Sequence, residues 1–299
     1  MKLLAIDVGG TEIKYGIIDE DLSITHQGFV PTPYTCFDDF SDAIYGIYEP
    51  VKDEVEGIAM SLPGFVDGKK GWVNGGGAMK YNHGTAVGKL LEDRCGCKVV
   101  LENDGKAAAI AEFRKGNLQG CQNASVCILG TGVGGGLIID GKVVRGPHFT
   151  AGEFSFVFAG DDPDEQSSYT AYRVSTSALL GKYAELTGSQ EMINGREFFR
   201  RLDSDEAAQQ ALTWLAENTA RLIYNLYVLL DVEKVAIGGG ISRQPILIER
   251  IREEYDKFTS RGMGRFLAKL NEVEIVSCKF HNESNLIGAY LNYLDQAEI

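Results

Sequence analysis

The chain has no CxxC pair and no cysteine–histidine cluster; its six cysteines are scattered at 36, 95, 97, 121, 127 and 278. That spacing supplies no zinc site, and it suits thiols of a reducing compartment, here the cytoplasm, better than a disulfide framework. Long apolar runs are missing too, since nothing approaches the roughly 20 residues that cross a bilayer. The opening "MKLLAIDVGG" is apolar for only a few residues and includes an acid, so it reads as a first strand and not as a signal peptide. Positive charge is scarce: 29 Lys and Arg face 42 Asp and Glu, for a net charge of −13. This argues against a nucleic-acid partner. If the ligand carries nucleotide phosphate, backbone amides, a few lysines and a metal ion must meet its charge. With four histidines in the whole chain, His83 and His148 stand alone and receive no role.

What is present is an ordinary globular composition, 44% hydrophobic with 36 glycines, in 299 residues. That length exceeds what one hydrophobic core serves, so two domains are expected. Alternation and turn chemistry predict strands over 3–8, 13–19 and 24–31, then a helix over 38–52 and a strand over 57–64. A looser stretch leads to a helix near 85–94, a strand over 98–102 and a helix over 105–115. From 124 the pattern starts again: strands over 124–129, 135–139 and 142–145, then a long helical region with apolar positions from 208 to 230 at helical spacing. "VEKVAIGGGIS" is a strand running into glycines, followed by a helix over 244–258, a strand over 272–278 and a helix over 284–295. The order βββαβαβα therefore occurs twice. An α/β protein of two duplicated domains follows, 1–117 and 118–299, facing each other across a cleft, with the last helix available to pack back on the first domain.

Each half carries a glycine loop between two strands, "AIDVGGTEIK" at 5–14 and "LGTGVGGGLII" at 129–139. The second matches GxGxxG, but a strand and an Asp-Gly turn follow it where a dinucleotide-binding unit needs a helix. GxxxxGK[ST] is absent, which excludes a P-loop. One such loop alone reads as a plain hairpin turn. Two features point further. Gly9, Gly10 and Thr11, and Gly130, Thr131, Gly132 and Gly134, would let backbone N–H groups approach an anion. A third cluster, Gly238, Gly239 and Gly240 with Ser242 near a helix cap, suits nucleoside contact. Asp7 precedes the first loop, where a carboxylate can hold Mg²⁺ directly or through water, or simply cap the turn. Lys14 could approach a phosphate or be solvated.

"LENDGKAAAIAEF" at 101–113 sets Asn103 and Asp104 where a strand ends and a helix begins. Either residue can be an N-cap. An acid there is also held ionised by the amide dipole, and a rigid carboxylate can orient a hydroxyl and take its proton.

Together "DVGGTEIK", "ENDGKAAAIAE", "LGTGVGGGLIIDGKVVRG", "AGEF" and "IGGGIS" resemble the ROK family of bacterial sugar kinases, within the actin/hexokinase/Hsp70 superfamily, over essentially the whole chain. The resemblance implies two RNase H-like, actin-like ATPase domains and ATP- and Mg²⁺-dependent phosphorylation of a hexose or hexoside, at O6. It implies Asp104 as base, Asn103 and Glu153 as sugar partners, and Gly64, Gly76 and Asn82 in loops lining the same pocket. A symmetric homodimer is the general expectation for such an enzyme. Where family members continue GE-x-G-H and bind zinc through that His and a cysteine cluster, this chain has Gly152-Glu153-Phe154-Ser155-Phe156. Phenylalanine cannot ligate a metal. No zinc is expected, and Phe156 would face the sugar as an apolar ring. The variant is similar to a zinc-less branch with β-glucoside kinases and N-acetylmannosamine kinases.

Two other classes share the body: sugar-responsive regulators, and assembly or chaperone ATPases. A regulator carries an N-terminal DNA-binding segment, for which a first strand at residue 3 leaves no room. An assembly ATPase has no need of Asn103, Asp104 and Glu153. An inactive sugar binder remains a further alternative.

Overall fold

The computed structural model describes residues 1–77, 79–266 and 272–297; 267–271 and 298–299, within the expected second domain, lie outside the described residues. The chain divides into two compact units. One comprises Met1–Arg114, Arg145–Ala151 and the residues from Glu283 onward; the other comprises Lys115–Val144 and Gly152–Asn282.

In the first unit, β1 (Leu3–Val8), β2 (Glu12–Ile18) and β3 (Ile24–Pro31) form an antiparallel meander. The chain continues through α1 (Phe37–Tyr48), β4 (Gly57–Leu62), a small hairpin of β5 (Phe65–Asp67) and β6 (Trp72–Asn74), α2 (Val87–Cys95), β7 (Lys98–Asn103) and α3 (Asp104–Lys115). Its sheet has the order β3-β2-β1-β4-β7, with β1, β4 and β7 parallel. β4 is buried along its whole length, which is why "GIAMSL" reads as an unbroken small-and-apolar run.

The second unit repeats the plan. β8 (Ala124–Leu129), β9 (Val133–Ile139) and β10 (Lys142–Val144) are its meander; α4 (Thr176–Thr187), α5 (Gly195–Arg201) and α6 (Glu206–Leu230) precede β11 (Lys234–Gly238), α7 (Pro245–Ser260) and β12 (Glu274–Ser277). The sheet order β10-β9-β8-β11-β12 is that of the first unit, position for position. This is the duplicated α/β architecture that the recurrence in the sequence implies.

The helical periodicity from 208 to 230 is all α6. Asp205 starts that helix by accepting the N–H groups of Ala207 and Ala208. α4 and α5 are separate helices, each with its own cap: Ser175 accepts from Ala178 N–H, and Asn194 from Glu197 N–H. The predicted helix 38–52 ends at Tyr48 and tightens into a single turn over Glu49–Val51, where Pro50 sits.

Each unit has its own core. In the first, Leu4, Ile6, Phe40, Ile44, Met60 and Leu101 are buried together; in the second, Leu129, Phe198, Leu212, Ile223, Ile237 and Ile251. Each such side chain contributes about 1.5–3 kcal/mol by leaving water. α8 (Ser284–Ala297) packs against β1, β4 and β7 of the first unit, burying Leu286, Ile287, Tyr290 and Tyr293. It also crosses α3 so closely that a Cβ on Gly288 would lie 1.8 Å from the Ala107 carbonyl oxygen. The alanines of "KAAAIA" make that approach possible. Among the described residues no helix is long and apolar enough to cross a membrane.

Candidate active site

In the first unit the end of β1 places Asp7 opposite Lys14 on β2 and beside Ser61 on β4. Asp7 Oδ1 accepts from Ser61 Oγ at 2.9 Å and from Asn285 Nδ2 at 3.0 Å. Among the described residues Oδ2 accepts no hydrogen bond, so one carboxylate oxygen is fixed and the other is available. Burial raises the Asp7 pKa, the two hydrogen bonds and Lys14 oppose that rise, and the charge of Asp104 adds to it. A half-buried carboxylate with one oxygen so anchored fits a Mg²⁺ ligand, direct or through water.

The loop that follows is a tight turn: Gly9 N–H donates to Glu12 O at 3.0 Å, and Thr32 closes it with hydrogen bonds to Gly9 O and from its own N–H to Thr11 O. Gly10 and Thr11 are exposed at its tip. Lys14 pairs with Glu12 at 3.5 Å.

Asn103 and Asp104 divide the two duties expected of them. Asn103 is the cap: its Oδ1 accepts from Lys106 N–H at 3.1 Å while its Nδ2 donates to Gly64 O at 3.0 Å. Both ends of that amide are thus anchored, and its Nδ2 still carries a second N–H. Asp104 is the first helical residue, with Oδ1 accepting from Gly105 N–H at 2.8 Å. The sequence predicts an acid held ionised by the amides. Here burial outweighs Gly105, Lys106 and Asn103, so the pKa is raised and not lowered. A raised pKa makes a stronger base once the carboxylate is ionised.

Gly64, Gly76 and Asn82 are brought to the same place by the β5–β6 hairpin, which was legible only as a loose stretch. Gly64 opens the hairpin and touches Asn103. Gly76 follows it so tightly against the next turn that a Cβ there would lie 2.3 Å from Met79 O and 3.0 Å from Asn82 Cβ. Asn82 is fully buried, and neither its Nδ2 nor its Oδ1 has a hydrogen-bond partner. A buried primary amide without partners costs about 1–3 kcal/mol and marks a place where a ligand is expected to complete the bonding. His83, given no role from sequence, holds this loop: its Nδ1 accepts the Gly75 N–H at 2.9 Å.

In the second unit, Gly130, Thr131 and Gly132 form the β8–β9 turn, and Gly134 lies in β9 opposite Ile128. The 152–156 segment is docked beneath it. Phe154 is buried with its ring against the Gly135 backbone, and Ser155 Oγ bonds both Val133 N–H and Val133 O. Those contacts fix Glu153, which is partly buried, and Phe156, whose ring is 66% exposed. At the end of β11, Gly238 and Gly239 turn the chain toward α7. Gly239 has φ +92°, and a Cβ there would lie 2.3 Å from Leu129 O. Ser242 is not the cap of α7, which starts after Gln244; its buried hydroxyl donates to Gly239 O at 2.9 Å and braces the turn. A cavity of about 740 Å³ opens beside it, lined by Ser242, Arg243, Pro245, Ile248, Arg252 and His281.

A duplicated sheet plan, a glycine turn at the same position in each half, and an Asp at the start of a strand-following helix define a class of duplicated α/β protein. Residues 3–295 match the model of the ROK family, to which the chain belongs. A β-glucoside kinase of Listeria monocytogenes is 31% identical, with 99% of this chain and 98% of that protein covered. A ROK family glucokinase from Streptomyces griseus, solved in complex with glucose and AMPPNP, is 26% identical with a TM-score of 0.84, covering 97% of this chain and 98% of that one. A ROK family protein from Streptococcus pneumoniae, solved in complex with sucrose, is 27% identical with a TM-score of 0.86, covering 100% and 99%.

Proposed function

We propose that the chain is an ATP- and Mg²⁺-dependent sugar kinase that phosphorylates a hexose or hexoside, at O6, with Asp104 as the general base. The observation that carries this reading is the buried, partnerless amide of Asn82, packed against Gly76 in the loop whose other end, Gly64, is tied to the Asn103–Asp104 turn. Polar loops converging beside a carboxylate whose pKa burial has raised suit a neutral, hydroxyl-rich ligand that must lose a proton. The relatives support the reading: one is a β-glucoside kinase, another a glucokinase solved with glucose and an ATP analogue.

In this reading the Asn82 amide and the Gly64 and Gly76 backbone orient the sugar, with Glu153 a further sugar partner from the second unit. Asp104 accepts the proton of the attacking hydroxyl as the new O–P bond forms and the bond from the γ-phosphorus to the leaving ADP oxygen breaks. Backbone N–H groups of Gly9–Thr11 and Gly130–Gly134 receive phosphate, and the Gly238–Gly240 turn receives the nucleoside. Asp7 would hold Mg²⁺, which supplies charge neutralisation at the phosphates. Phe156 stands where a zinc-ligating His would otherwise be, so the protein is read as zinc-free; stoichiometric zinc in the purified protein would overturn that.

The test is ADP release with Mg²⁺ across glucose, mannose, N-acetylmannosamine, N-acetylglucosamine, fructose, cellobiose and an aryl β-glucoside. Release dependent on one sugar supports the kinase and names its substrate; sugar-independent release or none sinks it. Asp104→Asn should lower kcat by about 10²–10⁴-fold while the fold, still capped by Asn103, survives. Retained turnover would remove Asp104 from the base role.

A further inference from the structure

We infer that Arg145 is a positioning residue for the Asn103–Asp104 turn and acts through the buried carboxylate of Glu102; its kinetic consequence rests on the kinase reading above, its geometry does not. Glu102 is the residue immediately before the turn, and it is 1% exposed. Its two oxygens do different things. Oε1 accepts the Asn103 N–H at 2.9 Å, fixing the last strand amide before α3 begins. Oε2 accepts Arg145 Nε at 2.7 Å, and Nη2 lies 2.6 Å from it. The same Nη2 donates to Asn292 Oδ1 at 3.0 Å, and Asn292 in turn donates from Nδ2 to Leu101 O at 3.3 Å. One guanidinium therefore holds the backbone at Asn103 through Glu102 and at Leu101 through Asn292. The carboxylate that the reaction needs follows directly.

The residue types are those such a clamp requires. A carboxylate buried to this degree demands a partner, since removal of one member of a buried pair leaves an uncompensated charge. Two donors converging on one carboxylate oxygen, with a third bond to a neighbouring amide, suit the rigid guanidinium, whose fixed set of N–H groups a lysine cannot reproduce. Arg145 opens the short Arg145–Ala151 segment that belongs to the first unit although its chain neighbours belong to the second. An arginine whose only task was solubility would have no reason to point inward at the strand end. Groups that orient metal ligands matter about 10- to 100-fold, and one that orients a reacting carboxylate is expected to act on the same scale.

The experiment compares wild type with Arg145→Lys, Arg145→Met and Glu102→Gln, each confirmed folded by circular dichroism at the assay temperature. Hydrogen–deuterium exchange is followed over 99–106, with β4 as an internal control. Exchange across 99–106 should quicken by about tenfold or more in Arg145→Met and by less in Arg145→Lys, with β4 unchanged. With the sugar found in the panel, kcat should fall about 10- to 100-fold in Arg145→Met, Arg145→Lys should recover part of it, and the KM for ATP should stay within about twofold. A purely structural arginine would lower the unfolding temperature and leave kcat per folded molecule alone. Unchanged exchange over 99–106 in folded Arg145→Met overturns the clamp; quickened exchange with wild-type kcat overturns the positioning role. Should Arg145→Met not fold, wild-type exchange and kcat in both Arg145→Lys and Glu102→Gln overturn the inference. If the wild type shows no sugar-dependent ADP release, the kinase reading fails while the exchange result still decides the clamp.

Discussion

Asn82 gives the most exposed test of the site. Its side chain is fully buried, and both polar atoms lack partners. In the sugar-free protein such a group works against folding, by about 1–3 kcal/mol. Leucine has nearly the same branched outline without the polar atoms, so Asn82→Leu should relieve that cost. Some of the gain is lost to imperfect fit against Gly76 and Met79, which leaves a net stabilisation of about 1–2 kcal/mol. For a chain of this size that is a rise of about 2–3 °C in the unfolding midpoint. The same substitution removes the amide that the sugar should pair with, so KM for sugar should rise about tenfold or more. Differential scanning fluorimetry with and without the sugar reads both effects. Wild type should gain stability from sugar and the variant should not, although the variant starts higher. The reasoning is refuted if Asn82→Leu is less stable than wild type by more than about 1 kcal/mol, a deficit typical of a broken native hydrogen bond. An unchanged KM would refute it equally.

The remaining predictions concern the carboxylate, the loop and the turn. Burial raises the folded pKa of Asp7 above the ordinary 3.8, so the folded state holds its proton more tightly than the unfolded chain, and stability declines as pH rises from that ordinary value through the raised one. Asp7→Asn should therefore be more stable than wild type at pH 7, with the advantage gone by about pH 3. Chemical denaturation at both pH values checks the sign, and a variant that is less stable at pH 7 contradicts it. His83→Ala removes the acceptor of the Gly75 N–H and should cost about 0.5–1.5 kcal/mol, raising KM for sugar with kcat nearly unchanged. Equal losses in kcat and kcat/KM would place His83 in the chemistry instead. Gly239→Ala meets both φ +92° and a carbonyl oxygen at 2.3 Å, and should cost about 3 kcal/mol or more; a midpoint within 1 °C of wild type would mean that the turn relaxes freely.

Much of the architecture was legible because two periods dominate it. Alternation across Glu12–Ile18 and the Asp-Gly turn at 140–141 announce the meanders, and the 3.6-residue pattern from Ala208 to Leu230 announces α6. The β5–β6 hairpin was not legible, because strands of three residues carry too little alternation to register. α4 and α5 were not legible as separate helices; their local signals are the caps Ser175 and Asn194, and short polar residues of that kind are common in loops too. In the site, the Asn103–Asp104 pair stood out by its place at a strand end. What could not be read was which of the two caps the helix. Nor was there any sign that Glu102, one residue earlier, is buried against an arginine 43 residues further along the chain. His83 was invisible for the same reason: its partner is a backbone amide, and backbone amides leave no trace in a sequence.

The position of α8 has a consequence for how the protein is made. It is the last described helix to leave the ribosome, yet it covers β1, β4 and β7, which are among the first elements to be translated. The first unit's sheet is thus left open on one face while residues 115–282 are polymerised, about 10–30 s at 5–20 residues per second. During that interval Leu3, Ala5, Ala59 and Val100, on the face opposite α1 and α2, belong to a nascent layer still awaiting its cover. Native order in the first unit therefore waits on residues that are translated only after the whole of the second unit.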